Sequence, residues 1–268
     1  MHNEEKFVNF LHALQQHRGH LNGRHSRVLE NDNHGAHEIF QTSPFNALLG
    51  GAYDGDMTFG QLRKHGNFGV GTFNALDGEL IALDGKFFQI KSDGIVYAVN
   101  DAQKTPFAVM QFFKPDFHGE IAQETGYEEL KGYLQRVLPA NNLFYAIRID
   151  GLFTRMKVRS APRQKAPYVP FVEAMKKQPV FELSDVQGTI IGFRFPDYTM
   201  GVGVPGYHLH FITNDYKAGG HVMDLILKKS RVAVEHTSNF YLELPREGIF
   251  PDAELMQNQA EAIREVEG

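Results

Sequence analysis

Two apolar runs, ELIAL (79–83) and KFFQI (86–90), flank Asp84-Gly85, and an Asp-Gly pair between such runs predicts a β-hairpin on a type I′ turn. GIVYAVN (94–100) and PFAVMQFF (106–113) extend the pattern as strands, the first opened by Asp93-Gly94. LFYAIRIDGLFTRMKVR (143–159) predicts a further hairpin around Asp150-Gly151. Between these, Leu130, Leu134 and Val137 recur at helical spacing, and Thr125 with Glu128 predicts a capping box for a helix over about 126–138. The second half repeats this style, with a short helix near 170–177, strands TIIGFRF (189–195), YHLHFI (207–212), HVMDLIL (221–227) and NFYLEL (239–244), and a last helix near 252–265.

Many strands and few helices predict an α+β fold of two packed β-rich halves, with mixed or antiparallel sheets and flanking helices. The Pro-rich passage near 161–170, APRQKAPYVP, is the expected division between the halves. Phe7, Phe10, Leu11 and Leu14 predict a short amphipathic N-terminal helix, followed by a His-rich linker. Residues 1–36 therefore read as an appendage to a domain spanning 37–268. FGVGTF (68–73) and MGVGVP (200–205) echo one another and hint at an internal duplication.

A chain of 268 residues buries a sizeable core. Its net charge of -5 gives no basic face for nucleic acid. No apolar run reaches the length of a membrane span, and the start MHNEEKF has no signal-peptide core. A cytoplasmic location is the expectation. Cysteine is absent, so a transition metal would have to be held by histidine and carboxylate side chains.

Gly201, Gly203 and Gly206 spell G-x-G-x-x-G, the dinucleotide-binding spacing. That motif must open a helix whose N-terminus receives the pyrophosphate. Here Pro205 interrupts it and the alternating strand pattern YHLHFIT follows. The glycines predict a tight turn instead.

Behind that turn, His208 and His210 occupy i and i+2 of a strand and so share a face. The turn-forming NDYKAGG (214–220) returns the chain antiparallel and brings His221 beside them. Three imidazoles on adjacent strands suit zinc with a position left open for catalysis; iron, nickel and copper remain open on ligand type alone. Two hydrogen-bonded core histidines and a surface one are the plainer alternative. By alternation Arg159 shares a face with Arg155 and Lys157, which on its own reads as a solvated basic strand.

HGNFGVGTFNALDGELIALDGKFFQI (65–90), MKVRSAPRQ (156–164), PGYHLHFITNDYKAGGHVMD (205–224) and the ending IREVEG together resemble the α-acetolactate decarboxylase family, over roughly residues 37–268. The resemblance implies a homodimeric zinc enzyme that converts (S)-2-acetolactate (2-hydroxy-2-methyl-3-oxobutanoate) to (R)-acetoin and CO2 in acetoin and butanediol formation. It implies His208, His210 and His221 as Zn²⁺ ligands in a site between the halves. Arg159, Glu79 and Glu267 are the implied catalytic residues, and Thr72 lies beside the substrate with Arg159. At the C-terminus, Glu265 competes with Glu267 for the assignment.

The chemistry accords with these residue types. Decarboxylating a β-keto acid leaves an electron pair on carbon, and zinc chelating the keto and hydroxyl oxygens would stabilise the resulting enediolate without an organic cofactor. Two other readings stand beside it. A His₃ zinc site also serves hydrolases and hydratases, and a β-scaffold binding a small acid would need no catalysis. In that last case a fourth protein ligand would close the site, with His236 the remaining histidine of the second half.

Overall fold

The computed structural model describes residues 37–138, 140–253 and 255. The expected N-terminal helix, most of the last helix and Glu267 lie outside them. In chain order the strands are β1 (Glu38–Thr42), β2 (Met57–Thr58), β3 (Phe68–Thr72), β4 (Glu79–Leu83), β5 (Lys86–Ile90), β6 (Val96–Ala98), β7 (Lys104–Thr105) and β8 (Ala108–Gln111). They continue as β9 (Phe117–Ile121), β10 (Thr125–Gly126), β11 (Phe144–Arg159), β12 (Val180–Phe195), β13 (Gly206–Thr213), β14 (Gly219–Thr237) and β15 (Asn239–Glu243). Four short helices intervene: α1 (Phe45–Leu49), α2 (Phe59–Leu62), α3 (Tyr127–Val137) and α4 (Phe171–Met175).

The strands form a seven-stranded sheet, β15-β1-β8-β3-β4-β5-β6, a six-stranded sheet built on β10-β14-β11-β12-β13 with β9 against β14, and a two-stranded ribbon, β2-β7. The first is mixed, because β15 returns from the far end of the chain to lie parallel to β1. In the second, β14 pairs with β11 along one edge and with β13 along the other. This closes β11, β12, β13 and β14 on themselves and brings the two ends of the β11–β13 path together.

Alternating apolar side chains weld the sheets face to face. Ile39, Val70 and Ile81 of the first sheet share one cluster with Phe144, Ile191 and Ile212 of the second. On the other face of the second sheet, Leu130 and Leu134 of α3 pack with Ile147, Phe153 and Leu225. Burying each such side chain is worth about 1.5–3 kcal/mol, enough to make the α+β layering the dominant constraint on the fold. No helix among the described residues is long and apolar enough to cross a membrane.

The Asp84-Gly85 hairpin forms as expected, with both residues at positive φ (51° and 76°) as a type I′ turn requires. The expected hairpin at Asp150-Gly151 does not. β11 runs unbroken for 16 residues through both. There the Asp150 carboxylate accepts hydrogen bonds from Arg148 and from Thr189 Oγ1. Gly151 lets neighbouring backbone come close: a Cβ would lie 2.7 Å from Lys229 O and 2.8 Å from Ser230 Cβ. The glycine serves close approach rather than a turn.

Helix α3 starts one residue later than the capping pattern predicts. Thr125 is drawn into β10 opposite Leu227, so Gly126 becomes the cap and its N–H is accepted by Glu129, not Glu128. β9 to β14 lie in the second sheet, and β15 returns to the first. The suggested duplication dissolves, because FGVGT is the strand β3 whereas MGVGVP forms the bend that leads into β13.

Candidate metal centre and active site

The bend at 200–205 is followed directly by β13, with no helix, so the dinucleotide spacing serves as a turn. On β13, His208 and His210 point inward together while Leu209 enters the core on the opposite face. The β13–β14 hairpin places His221 directly opposite His210. All three imidazoles are buried, and one ligand nitrogen from each lies within 4.8 Å of the others.

His210 Nδ1–H donates to the carbonyl of Leu80 on β4 at 2.9 Å, which turns Nε2 toward the cluster. His208 Nε2 is 3.2 Å from that nitrogen. Nitrogens coordinating one zinc at 2.0–2.1 Å in tetrahedral geometry stand about 3.3 Å apart, so this spacing fits a shared cation. Burial, above all, pushes the His210 pKa down to about 3, against the Leu80 hydrogen bond and with help from the Arg159 charge. His208 and His221 are likewise held well below the usual histidine range, chiefly by burial. Three neutral imidazoles are the protonation state that metal ligation needs.

Arg159 reaches the site because of a register slip. Between Lys157 and Val158, β14 carries Met223 as an extra residue, and His221 falls opposite Arg159. Arg155, Lys157 and Arg159 share a face of β11 as alternation predicts, with Met156 and Val158 in the core on the other, but the face is not uniformly solvated. Arg155 pairs with Asp224 at the half-exposed surface, whereas Arg159 is 4% exposed. Arg159 Nη1 donates to Gln178 Oε1 at 3.1 Å, just ahead of β12.

The first sheet supplies further polar groups. Glu79, at the start of β4, accepts the Ala161 N–H at 2.9 Å, and its other oxygen stands 3.6 Å from His210 Nε2. Thr72 is its partner across the β3–β4 ladder, and Thr72 Oγ1 donates to Gly78 O at 2.7 Å. Thr72, Glu79, Arg159, His208 and His221 line a small cavity together with the apolar Phe45, Leu48, Phe107, Phe171 and Met175. The structure thus gathers every candidate residue among those it describes.

Among the described residues the metal-competent cluster is this triad, and His236 is not in it. His236 sits at the far end of β14 opposite Tyr145, with Asp116 at 2.5 Å. The contributions of Leu80, Ala161, Gln178 and the apolar wall carry no local sequence signature, since each depends on the contact between the two sheets.

The family model described as alpha-acetolactate decarboxylase matches residues 39–257. The chain belongs to the alpha-acetolactate decarboxylase family. It is 49% identical over 234 residues to the alpha-acetolactate decarboxylase of Methylococcus capsulatus, covering 87% of this chain and 90% of that one. With the Methanosarcina mazei protein of the same name, identity is 47% over 88% of this chain and 82% of that one. A crystal structure of the Bacillus subtilis strain 168 alpha-acetolactate decarboxylase superposes with a TM-score of 0.85 at 44% identity, covering 86% of this chain and 99% of that one. Its relatives bear the name of a carboxy-lyase, and the shared fold places the buried triad in an enzyme scaffold.

Proposed function

We propose that this chain decarboxylates (S)-2-acetolactate to (R)-acetoin and CO2, with Zn²⁺ held by His208, His210 and His221. The observation that carries the reading is the buried triad with Arg159 opposite His221, in a chain of this family. A zinc ion there would supply a Lewis acid for the keto oxygen, offsetting the negative charge that builds up as CO2 leaves. Neutral imidazoles would leave the ion's charge undiminished, which favours this electron-sink role.

The Arg159 guanidinium presents a planar donor fork to the substrate carboxylate, and its bond to Gln178 orients that fork. Holding the carboxylate fixes which C–C bond breaks. Thr72 donates its own proton to Gly78 O, so its oxygen is turned to accept from the substrate hydroxyl. Glu79, beside His210 and anchored by Ala161, takes up and returns a proton at the hydroxyl-bearing end. In this reading Glu267 comes from the C-terminus to complete the acid–base pair and deliver the proton to one face, giving the (R) product.

The reading extends to a homodimer in acetoin formation. Its support is the edge of β12 from Val180 to Val186, which among the described strands pairs only with β11 and leaves backbone groups for a second copy. Light scattering in solution tests that part.

The test of the activity is to supply racemic 2-acetolactate to the purified protein and measure CO2 and the chirality of acetoin. Production of (R)-acetoin that stops with a chelator and returns with zinc is expected. Ester hydrolysis or CO2 hydration without acetoin would favour the hydrolase or hydratase reading instead.

A further inference from the structure

The cavity lining contains two kinds of side chain, which differ in chemistry and in stiffness. Thr72, Glu79, Arg159 and the histidines carry hydrogen-bonding groups, whereas Phe45, Leu48, Phe107, Phe171 and Met175 offer none from their side chains. C2 of the substrate bears four different groups: a carboxylate, a hydroxyl, an acyl group and an alkyl group. Three of them carry oxygen and suit the polar lining groups, which leaves the alkyl group for the apolar ones.

The apolar wall is tightly built. Phe45 meets Phe107 edge to face at 5.3 Å and Phe171 at 6.1 Å, with interplanar angles of 65° and 72°. The three rings are almost wholly buried and brace one another, as edge-to-face aromatic sets do. The cavity is about 20 Å³, close to the volume that admits one water. A substrate of this size, its alkyl group included, therefore enters only if lining side chains move. Met175, 4% exposed on α4, is unbranched and turns about three side-chain bonds, so it yields where the braced rings do not.

We infer that Met175 is the specificity-determining residue for the C2 alkyl group, setting how large a substituent this site takes. The inference rests on the decarboxylase reading and extends it to a substrate class, the 2-alkyl-2-hydroxy-3-oxobutanoates. Met175 acts on size alone, since the polar anchors are common to all members of that class.

The experiment compares 2-acetolactate with its 2-ethyl homologue, using the zinc-loaded native protein, Met175→Ala and Met175→Ile. The readout is the ratio of the two kcat/KM values within each protein, which is unaffected by the fraction that folds. A pocket enlarged by more than a methylene should raise the ethyl-to-methyl ratio in Met175→Ala by about tenfold or more. Stiff, β-branched isoleucine should lower it below the native value. Calorimetry with 2,3-dihydroxy-2-methylbutanoate and its 2-ethyl homologue, which lack the keto group, should give the same order of dissociation constants.

An unchanged ratio in both variants overturns the inference while leaving the decarboxylase reading intact. A gain in Met175→Ala confined to 2-hydroxy-2-methyl-3-oxopentanoate, whose extra carbon is on the acyl side, also overturns it. Failure of the native protein on every one of these keto acids overturns the decarboxylase reading and this inference with it.

Discussion

The Glu79 carboxylate accepts the Ala161 N–H at 2.9 Å, tying the start of β4 to the segment that follows β11 in the other sheet. One oxygen is thereby fixed structurally, and the other is aimed 3.6 Å from His210 Nε2. Glu79→Gln separates the two duties, because an amide oxygen can still accept from Ala161 but the group cannot carry a proton. The expected outcome is a kcat lower by about 10²- to 10⁴-fold with little change in melting temperature. A matching loss of stability would assign Glu79 to the fold alone.

Arg159→Lys keeps the positive charge and removes the planar fork. The lysine cannot bridge Gln178 and a carboxylate in the same geometry. Losing one charge-assisted hydrogen bond of about 2 kcal/mol corresponds to roughly a 30-fold drop in kcat/KM for acetolactate. Steady-state kinetics on both proteins checks it; equal values would place the carboxylate elsewhere.

Gly151→Ala tests why β11 stays unbroken through an Asp-Gly pair. The added methyl meets Lys229 O, Ser230 Cβ and Leu227 Cδ1 at 3.0 Å or less, two of them on backbone or short side chains that cannot swing away. Overpacking of this kind costs about 1–3 kcal/mol, read as a lower urea midpoint. Activity per folded molecule should be preserved, since Gly151 is mid-strand and Arg159 lies eight residues on, at the strand's end.

His236 offers a pH-dependent contribution remote from the metal centre. Its hydrogen bond to Asp116 raises its pKa above the ordinary value, against the effect of burial. A raised folded-state pKa means that the pairing stabilises fully below the unfolded value of about 6.5 and is lost as pH rises through the folded value. The melting-temperature gap between native protein and His236→Gln should thus be widest near pH 6 and shrink on the alkaline side. A gap that widens with pH would contradict the pairing.

Local chemistry made some parts of this molecule legible in its sequence. Asp84-Gly85 announces a hairpin because a type I′ turn needs positive φ at two adjacent positions, and His208, His210 and His221 announce a cluster because strand alternation and one turn suffice to place them. Asp150-Gly151 carries the same local signal and misleads, since there the demand comes from Lys229 and Ser230 on the neighbouring strand. Arg159 shows a related limit: alternation rightly puts it on the face of Arg155 and Lys157, but its burial and its place opposite His221 depend on β14, where Met223 is the extra residue. The apolar wall was out of reach for a further reason. Phe45, Phe107 and Met175 lie on three separate segments and meet where the two sheets pack.

Zinc titration into the metal-free protein tests the central claim most directly, with bound metal and acetoin formation followed on the same samples. The expected result is activity that rises in proportion to bound zinc and saturates at one ion per chain, with neither tight binding nor activity in His210→Ala. Full decarboxylase activity in the metal-free protein, or zinc bound at one per chain in His210→Ala, would contradict a catalytic ion held by His208, His210 and His221.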